Sequence, residues 1–181
     1  RLTKASLTLL RNEENVLPVK GLENKKIASL SLGAEQRTDF QHRLERYSPM
    51  DHFVFPKDGD VNDIIALKEN LAGHQLILVG IHGVGIREGK NNFGIRPEMI
   101  ALLRTLIESH TVVVSIFGNV YSLGKIQGLE NAAGVIAAYQ ETPLTQDLTA
   151  QMIFGGIGAQ GKLPVTINSF FKRGDGLPLE G

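Results

Sequence analysis

Met152-Ile153-Phe154-Gly155-Gly156-Ile157-Gly158-Ala159-Gln160-Gly161-Lys162-Leu163-Pro164-Val165-Thr166-Ile167 is the stretch on which the fold turns. It contains Gly156-x-Gly158-x-x-Gly161, the spacing of a dinucleotide-binding turn. That turn works only with a strand before the glycines and a helix after them, because helix N–H groups then face the pyrophosphate. Here the order is reversed. Residues 146–154 carry the pattern of a helix end, and residues 162–167 read as a strand with Pro164 near its start. Proline fixes φ and has no N–H to donate, so no anion-binding helix is centred there. The glycines therefore stop a helix and return the chain into a strand.

Working back from this stretch, apolar runs alternate with amphipathic ones. Residues 134–139 and 111–117 read as buried strands, and 75–81 (Gln-Leu-Ile-Leu-Val-Gly-Ile) is the clearest of the set. Residues 27–32 are apolar except for two serines, as a strand buried on both faces can be, and Gly33 closes them. Residues 53–55 form a short strand stopped by Pro56. Between the strands, residues 97–109 open with Pro97, which suits a first helical turn. Met99, Ile100, Leu102, Leu103, Leu106 and Ile107 build that helix's apolar face. Residues 61–71, apolar at 61, 64, 65, 67 and 71, have helical spacing too. A polar surface helix over 36–47 carries Phe40 and Leu44, and another helix spans about 145–154. Residues 1–12 begin with helical spacing (Leu2, Ala5, Leu9) and pass into an extended lead ending at Leu17-Pro18. Alternating strands and helices with right-handed crossovers predict an α/β fold. It is a doubly wound, flavodoxin-like three-layer α/β/α sandwich on a mostly parallel sheet of about six strands. The Gly/Pro-rich residues 173–181 are expected to leave the domain.

Composition narrows the function. The 181 residues fit one domain, and 42% hydrophobic with 21% charged residues is ordinary for a soluble globular protein. Nineteen Lys+Arg balance nineteen Asp+Glu, and no basic stripe exists, which argues against nucleic-acid binding. The absence of cysteine excludes disulfides, Cys-based zinc sites and thiol catalysis. No apolar run reaches membrane-spanning length. The five histidines (42, 52, 74, 82 and 110) are scattered, so no metal site is expected. Neither a G-x-x-x-x-G-K-[ST] phosphate loop nor a G-x-S-x-G elbow is present, and no cofactor is expected.

In open α/β sheets ligands bind beyond the carboxyl ends of the strands. Three loops qualify: 82–93, with four ionisable side chains and three glycines, then 118–121 and 140–143. His82 and Glu88 are the general base and acid available if the first loop folds back on itself. With no third group to orient His82, the plainer reading is a solvated connection whose glycines supply positive φ.

Four blocks carry a resemblance. Phe154-Gly155 followed by Gly161-Lys162-Leu163-Pro164-Val165-Thr166 resembles a signature of glycoside hydrolase family 3, near the end of that family's C-terminal sandwich domain. Ser6-Leu7-Thr8-Leu9-Leu10-Arg11-Asn12-Glu13-Glu14-Asn15-Val16-Leu17-Pro18 resembles the linker out of its catalytic barrel, usually written with lysine where Arg11 stands. Residues 112–121 and 132–139 match two further blocks in the same order. Ala137-Ala138-Tyr139-Gln140-Glu141-Thr142-Pro143 is closer to the hexosaminidase (β-N-acetylglucosaminidase) branch than to the glucosidase branch. In the hexosaminidase branch the nucleophilic aspartate and a histidine acid/base both belong to the barrel. The plant glucan-hydrolysing members take their acid/base glutamate from the second domain, and the surroundings of Glu88 do not match them.

The resemblance implies residues 1–18 as a linker from a missing N-terminal barrel, 19–170 as the sandwich and 171–181 as a tail. A barrel of about 250 residues has no room in this chain, so the catalytic nucleophile is expected elsewhere in the parent polypeptide. The implied partners are that barrel and, through it, a carbohydrate substrate. The implied role is a domain that buttresses a retaining β-N-acetylhexosaminidase, inactive alone, from a parent expected to be exported by a bacterium. His82, Arg87 and Asn119 are the expected substrate contacts; no catalytic residue is expected in the chain. Two other classes stay open: a stand-alone small-ligand-binding module, and a structural spacer that binds no sugar.

Overall fold

The structure, a computed structural model, describes residues 7–181. The helical spacing at Leu2 and Ala5, and residues 1–6 of the expected linker, lie outside the described residues. Six strands and four α-helices follow in the order β1 (Thr8–Asn12), β2 (Ile27–Leu32), α1 (Asp39–Glu45), β3 (Asp51–Phe55), α2 (Val61–Leu71), β4 (Leu76–Ile81), α3 (Pro97–Ser109), β5 (Thr111–Ile116), β6 (Gly134–Ala137) and α4 (Pro143–Ile153). They form one sheet in the order β1-β6-β5-β4-β2-β3. All pairings are parallel except β1 with β6. The expected α/β/α sandwich is thus the architecture observed. The chain reverses direction across the sheet between β2 and β4.

Strand alternation divides the interior in two. Ala28, Leu30 and Leu32 of β2, Ile77, Val79 and Ile81 of β4, and Val112, Val114 and Ile116 of β5 pack with Leu67 and Leu71 of α2. Met99, Leu102, Leu103 and Leu106 of α3 complete that core. Ile27, Leu76, Leu78, Val113 and Ile136 face the other way, onto Phe40 and Leu44 of α1 and Leu148, Met152 and Ile153 of α4. Both faces are covered, which is why the strands read as apolar runs rather than alternating ones. Side chains fix the helix starts. Thr38 with Gln41 and Asp60 with Asp63 form capping boxes, and Thr142 accepts from Thr145 N–H. The Thr38 cap shortens α1 from the expected 36–47.

Two local expectations are corrected. Residues 162–167 do not form a strand. Pro164 has no ladder donor, and Leu163 instead exchanges hydrogen bonds with Asp175 and Gly174, at 2.7 and 2.8 Å. The antiparallel strand is β1, where helical spacing was expected. Leu9 enters the core under α1 and α4, while Leu10 packs against the opposite core, so the segment has period two.

Residues 173–181 do not leave the domain. Leu177 N–H donates to Leu9 O at 2.7 Å, and Ala159 and Leu179 exchange bonds at 2.8 and 3.0 Å. This return explains the glycine-rich stretch. Gly155, at φ 82°, closes α4: its N–H bonds Met152 O and the Gly156 N–H bonds Gln151 O, the five-to-two and six-to-one pair of a Schellman stop. A Cβ on Gly158 would lie 2.2 Å from Leu179 O, and one on Gly161 would lie 2.4 Å from Leu7 O. The helix stop forms as expected, and the remaining glycines let backbones cross.

Candidate functional site at the carboxyl ends of β4, β5 and β6

His82 follows β4 directly and is almost fully enclosed, at 3% exposure. Its ring stacks on Phe117, with centroids 4.9 Å apart and planes 26° apart, and tilts against Phe40. Nδ1 donates to Glu141 Oε1 at 3.0 Å, and Gly83 N–H donates to Glu141 Oε2 at 2.9 Å. One carboxylate from the β6–α4 loop thus grips both a side chain and the backbone of the β4 loop. Desolvation pushes the Glu141 carboxyl up. The bonds from His82 and Gly83 and the charges of His82 and Lys57 outweigh it, and its pKa falls below the usual range.

The rest of the β4 loop is braced on itself. Gly85 N–H bonds Phe93 O at 2.8 Å and Phe93 N–H bonds Glu88 O at 3.0 Å, with the Phe93 ring buried beneath. This loop and the turn after β5 border a cavity of about 480 Å³, with Ile86, Arg87, Tyr121 and Lys125 on its walls. That size falls within the range of small-molecule sites.

The three expected contact residues separate here. Arg87 and Asn119 line this cavity; His82 does not. Asn119 spends both ends of its amide on structure: Nδ2 donates to Ile86 O at 2.7 Å, and Oδ1 accepts from Tyr121 N–H at 3.0 Å. Arg87 is exposed, with no hydrogen-bond or ion-pair partner among the described residues. Glu88 pairs with Lys125 Nζ at 2.5 Å. The loop therefore does not fold back to join His82 to Glu88, because each acquires a partner from another loop. Sequence reasoning named the 140–143 loop but missed Glu141 itself. Its signal was a lone carboxylate beside a strand end, facing a histidine at the neighbouring one.

Among the described residues no group of three or more His, Cys, Asp or Glu is placed to hold a metal ion. No helix among them is long and apolar enough to cross a membrane. Glu141 and Glu88 have different partners, His82 with the Gly83 N–H for one and Lys125 for the other.

No family model and no curated protein sequence matches the chain. Solved structures do. A fungal multi-domain GH3 β-N-acetylglucosaminidase superposes with a TM-score of 0.73 at 17% identity, over 93% of this chain and 18% of its own. A glycoside hydrolase family 3 β-N-acetylglucosaminidase from Paenibacillus sp. str. FPU-7 gives 0.73 at 18% identity, over 93% and 32%. The GH3 β-glucosidase of Bifidobacterium adolescentis gives 0.66 at 21%, over 92% and 28%. At such identities the likeness establishes the fold. The chain spans between 18% and 32% of the length of these proteins.

Proposed function

We propose that this chain is the α/β sandwich domain of a family 3 glycoside hydrolase, working beside a catalytic barrel in a longer polypeptide. The observation that carries the proposal is the fold likeness. It takes in 93% of this chain but at most 32% of two β-N-acetylglucosaminidases, in the manner of one domain of a larger enzyme. The four ordered sequence blocks support the same family. Residues 137–143 support its hexosaminidase branch, so the parent is read as a retaining β-N-acetylhexosaminidase.

Chemistry restricts what the domain contributes. Retaining hydrolysis needs two carboxyl groups about 5 Å apart, one as nucleophile and one as acid/base. Glu141 is spent on His82 and Gly83, and Glu88 on Lys125. The domain alone is therefore inactive and supports the cleft. Of the three expected contacts, Arg87 has donors free to meet a sugar oxygen. Asn119 and His82 hold the loops that carry it.

The test is hydrolysis of aryl N-acetyl-β-glucosaminide and aryl β-glucoside by the 181-residue chain and by the longer polypeptide. The chain should be silent on both, and the polypeptide should turn over the N-acetylated substrate faster. Turnover by the chain alone would overturn the domain assignment. A preference for the glucoside would overturn the branch. Sugar affinity in the chain with no hydrolysis in any longer product would favour a binding module.

A further inference from the structure

On the sheet face beneath α1 and α4, three small residues stand side by side: Ser31 of β2, Gly80 of β4 and Ser115 of β5, paired in register. His82 folds back over this row. A Cβ on Gly80 would lie 2.6 Å from His82 Nε2. That Nε2 and Ser115 Oγ are both buried and neither has a hydrogen-bond partner. Gly80 and Ser115 are paired in register, and paired residues on neighbouring strands, about 4.8 Å apart, point to the same face, so the His82 ring over Gly80 and the Ser115 side chain share one patch of the sheet. The surroundings do not otherwise satisfy either atom. Phe40 and Phe117 offer ring carbons, and Ser31 Oγ is engaged with Thr38 Oγ1 at 3.1 Å.

We propose that one water molecule is bound between His82 Nε2 and Ser115 Oγ. Two buried polar atoms left unmet cost more than immobilising a single water between them. The donor arithmetic favours water over any other occupant. Glu141 as a carboxylate only accepts, so Nδ1 carries a hydrogen. Nε2 then needs a donor if it bears a lone pair, or an acceptor if it bears a hydrogen. Water supplies either, and the Ser115 hydroxyl rotates to match. The result is one hydrogen-bonded chain from Ser115 in the sheet interior through water, His82 and Glu141 to the Gly83 backbone at the surface. It ties β5 to the β4 and β6–α4 loops and gives His82 an internal role, whatever the domain's partner.

The test is a crystal structure of the chain at about 1.2 Å, with ¹⁵N NMR of the histidine rings in solution. Expected is a single density peak about 2.6–3.2 Å from both atoms, the ordinary hydrogen-bond range. Ser115→Ala should shift the His82 Nε2 resonance while leaving those of His42 and His110 in place. Absence of the peak overturns the proposal, as does a direct Ser115–His82 bond. So does a His82 Nε2 resonance unchanged in folded Ser115→Ala.

Discussion

Gly161→Ala places a methyl group where the chain has no room for one. The added Cβ would sit 2.4 Å from Leu7 O, 2.6 Å from Thr8 Oγ1 and 2.9 Å from Leu7 C. Two of these are backbone atoms of Leu7, directly before β1, which is anchored to β6 from Thr8 onward, so neither rotates away. Relief requires the crossing to open, which also lengthens the Gly161 N–H bond to Leu7 O, now 3.2 Å. Overpacking costs about 1–3 kcal/mol, and a weakened backbone bond adds about 1 kcal/mol. The sum of about 2–4 kcal/mol lowers the melting temperature by roughly 4–16 °C for a domain of this size. Gly174→Ala is the control: nothing lies within 4 Å of its Cβ, so only the φ of 89° opposes it, a cost of about 1–2 kcal/mol. Thermal unfolding of both variants by circular dichroism is the assay. A Gly161→Ala melting temperature within about 2 °C of wild type refutes the steric argument. Loss of dinucleotide affinity at unchanged stability would restore the nucleotide-binding reading of the glycines.

Other variants separate support from contact. Glu141→Gln should destabilise by about 1 kcal/mol near neutral pH, a charge-assisted bond discounted for a partly exposed carboxylate. Because folding lowers the Glu141 pKa, its stabilisation is present above the unfolded value and lost as pH falls through the folded one. Urea titrations should therefore show the gap between wild type and variant shrinking below about pH 4.5, and a gap that grows there would contradict the linkage. Asn119→Ala removes the bond from its side chain to Ile86 O, which joins the β4 loop to the turn after β5, and the bond from Tyr121 N–H, which caps that turn. Amide exchange at residues 86–88 and 121 should then accelerate by about tenfold while β4 and β5 stay protected, one bond being about 1 kcal/mol. Arg87→Ala should leave stability within about 0.5 kcal/mol, yet lower kcat/KM of the longer polypeptide; equal kcat/KM would remove Arg87 from the cleft.

Periodicity located most of the sandwich. Val61–Leu71 and Pro97–Ser109 form over the expected residues because a capping aspartate and an N-terminal proline mark their starts. Buried parallel strands announce themselves as apolar runs, and β2, β4 and β5 did so. The errors sit at the antiparallel edge. Leu2, Ala5 and Leu9 have helical spacing, but Leu9 and Leu10 point into opposite cores, and five residues of strand are too few to outweigh that signal. Pro164 should have demoted 162–167 from the sheet. The site was legible as three loops and no further. The partners of His82, Glu88 and Asn119 come from residues 59, 37 and 33 positions away, and a single sequence contains no signal for such pairings. The glycines of the helix stop were readable as turn chemistry. The Gly158 crossing depends on Leu179 of a tail that composition alone presented as leaving the domain.

The most direct test of the domain's role is the coding sequence upstream of Arg1 in the same reading frame. The account predicts a barrel of about 250 residues that ends at the linker of residues 1–18 and carries a candidate nucleophilic aspartate. A start of translation beside Arg1 would contradict it and leave a small-ligand module as the better description of this chain.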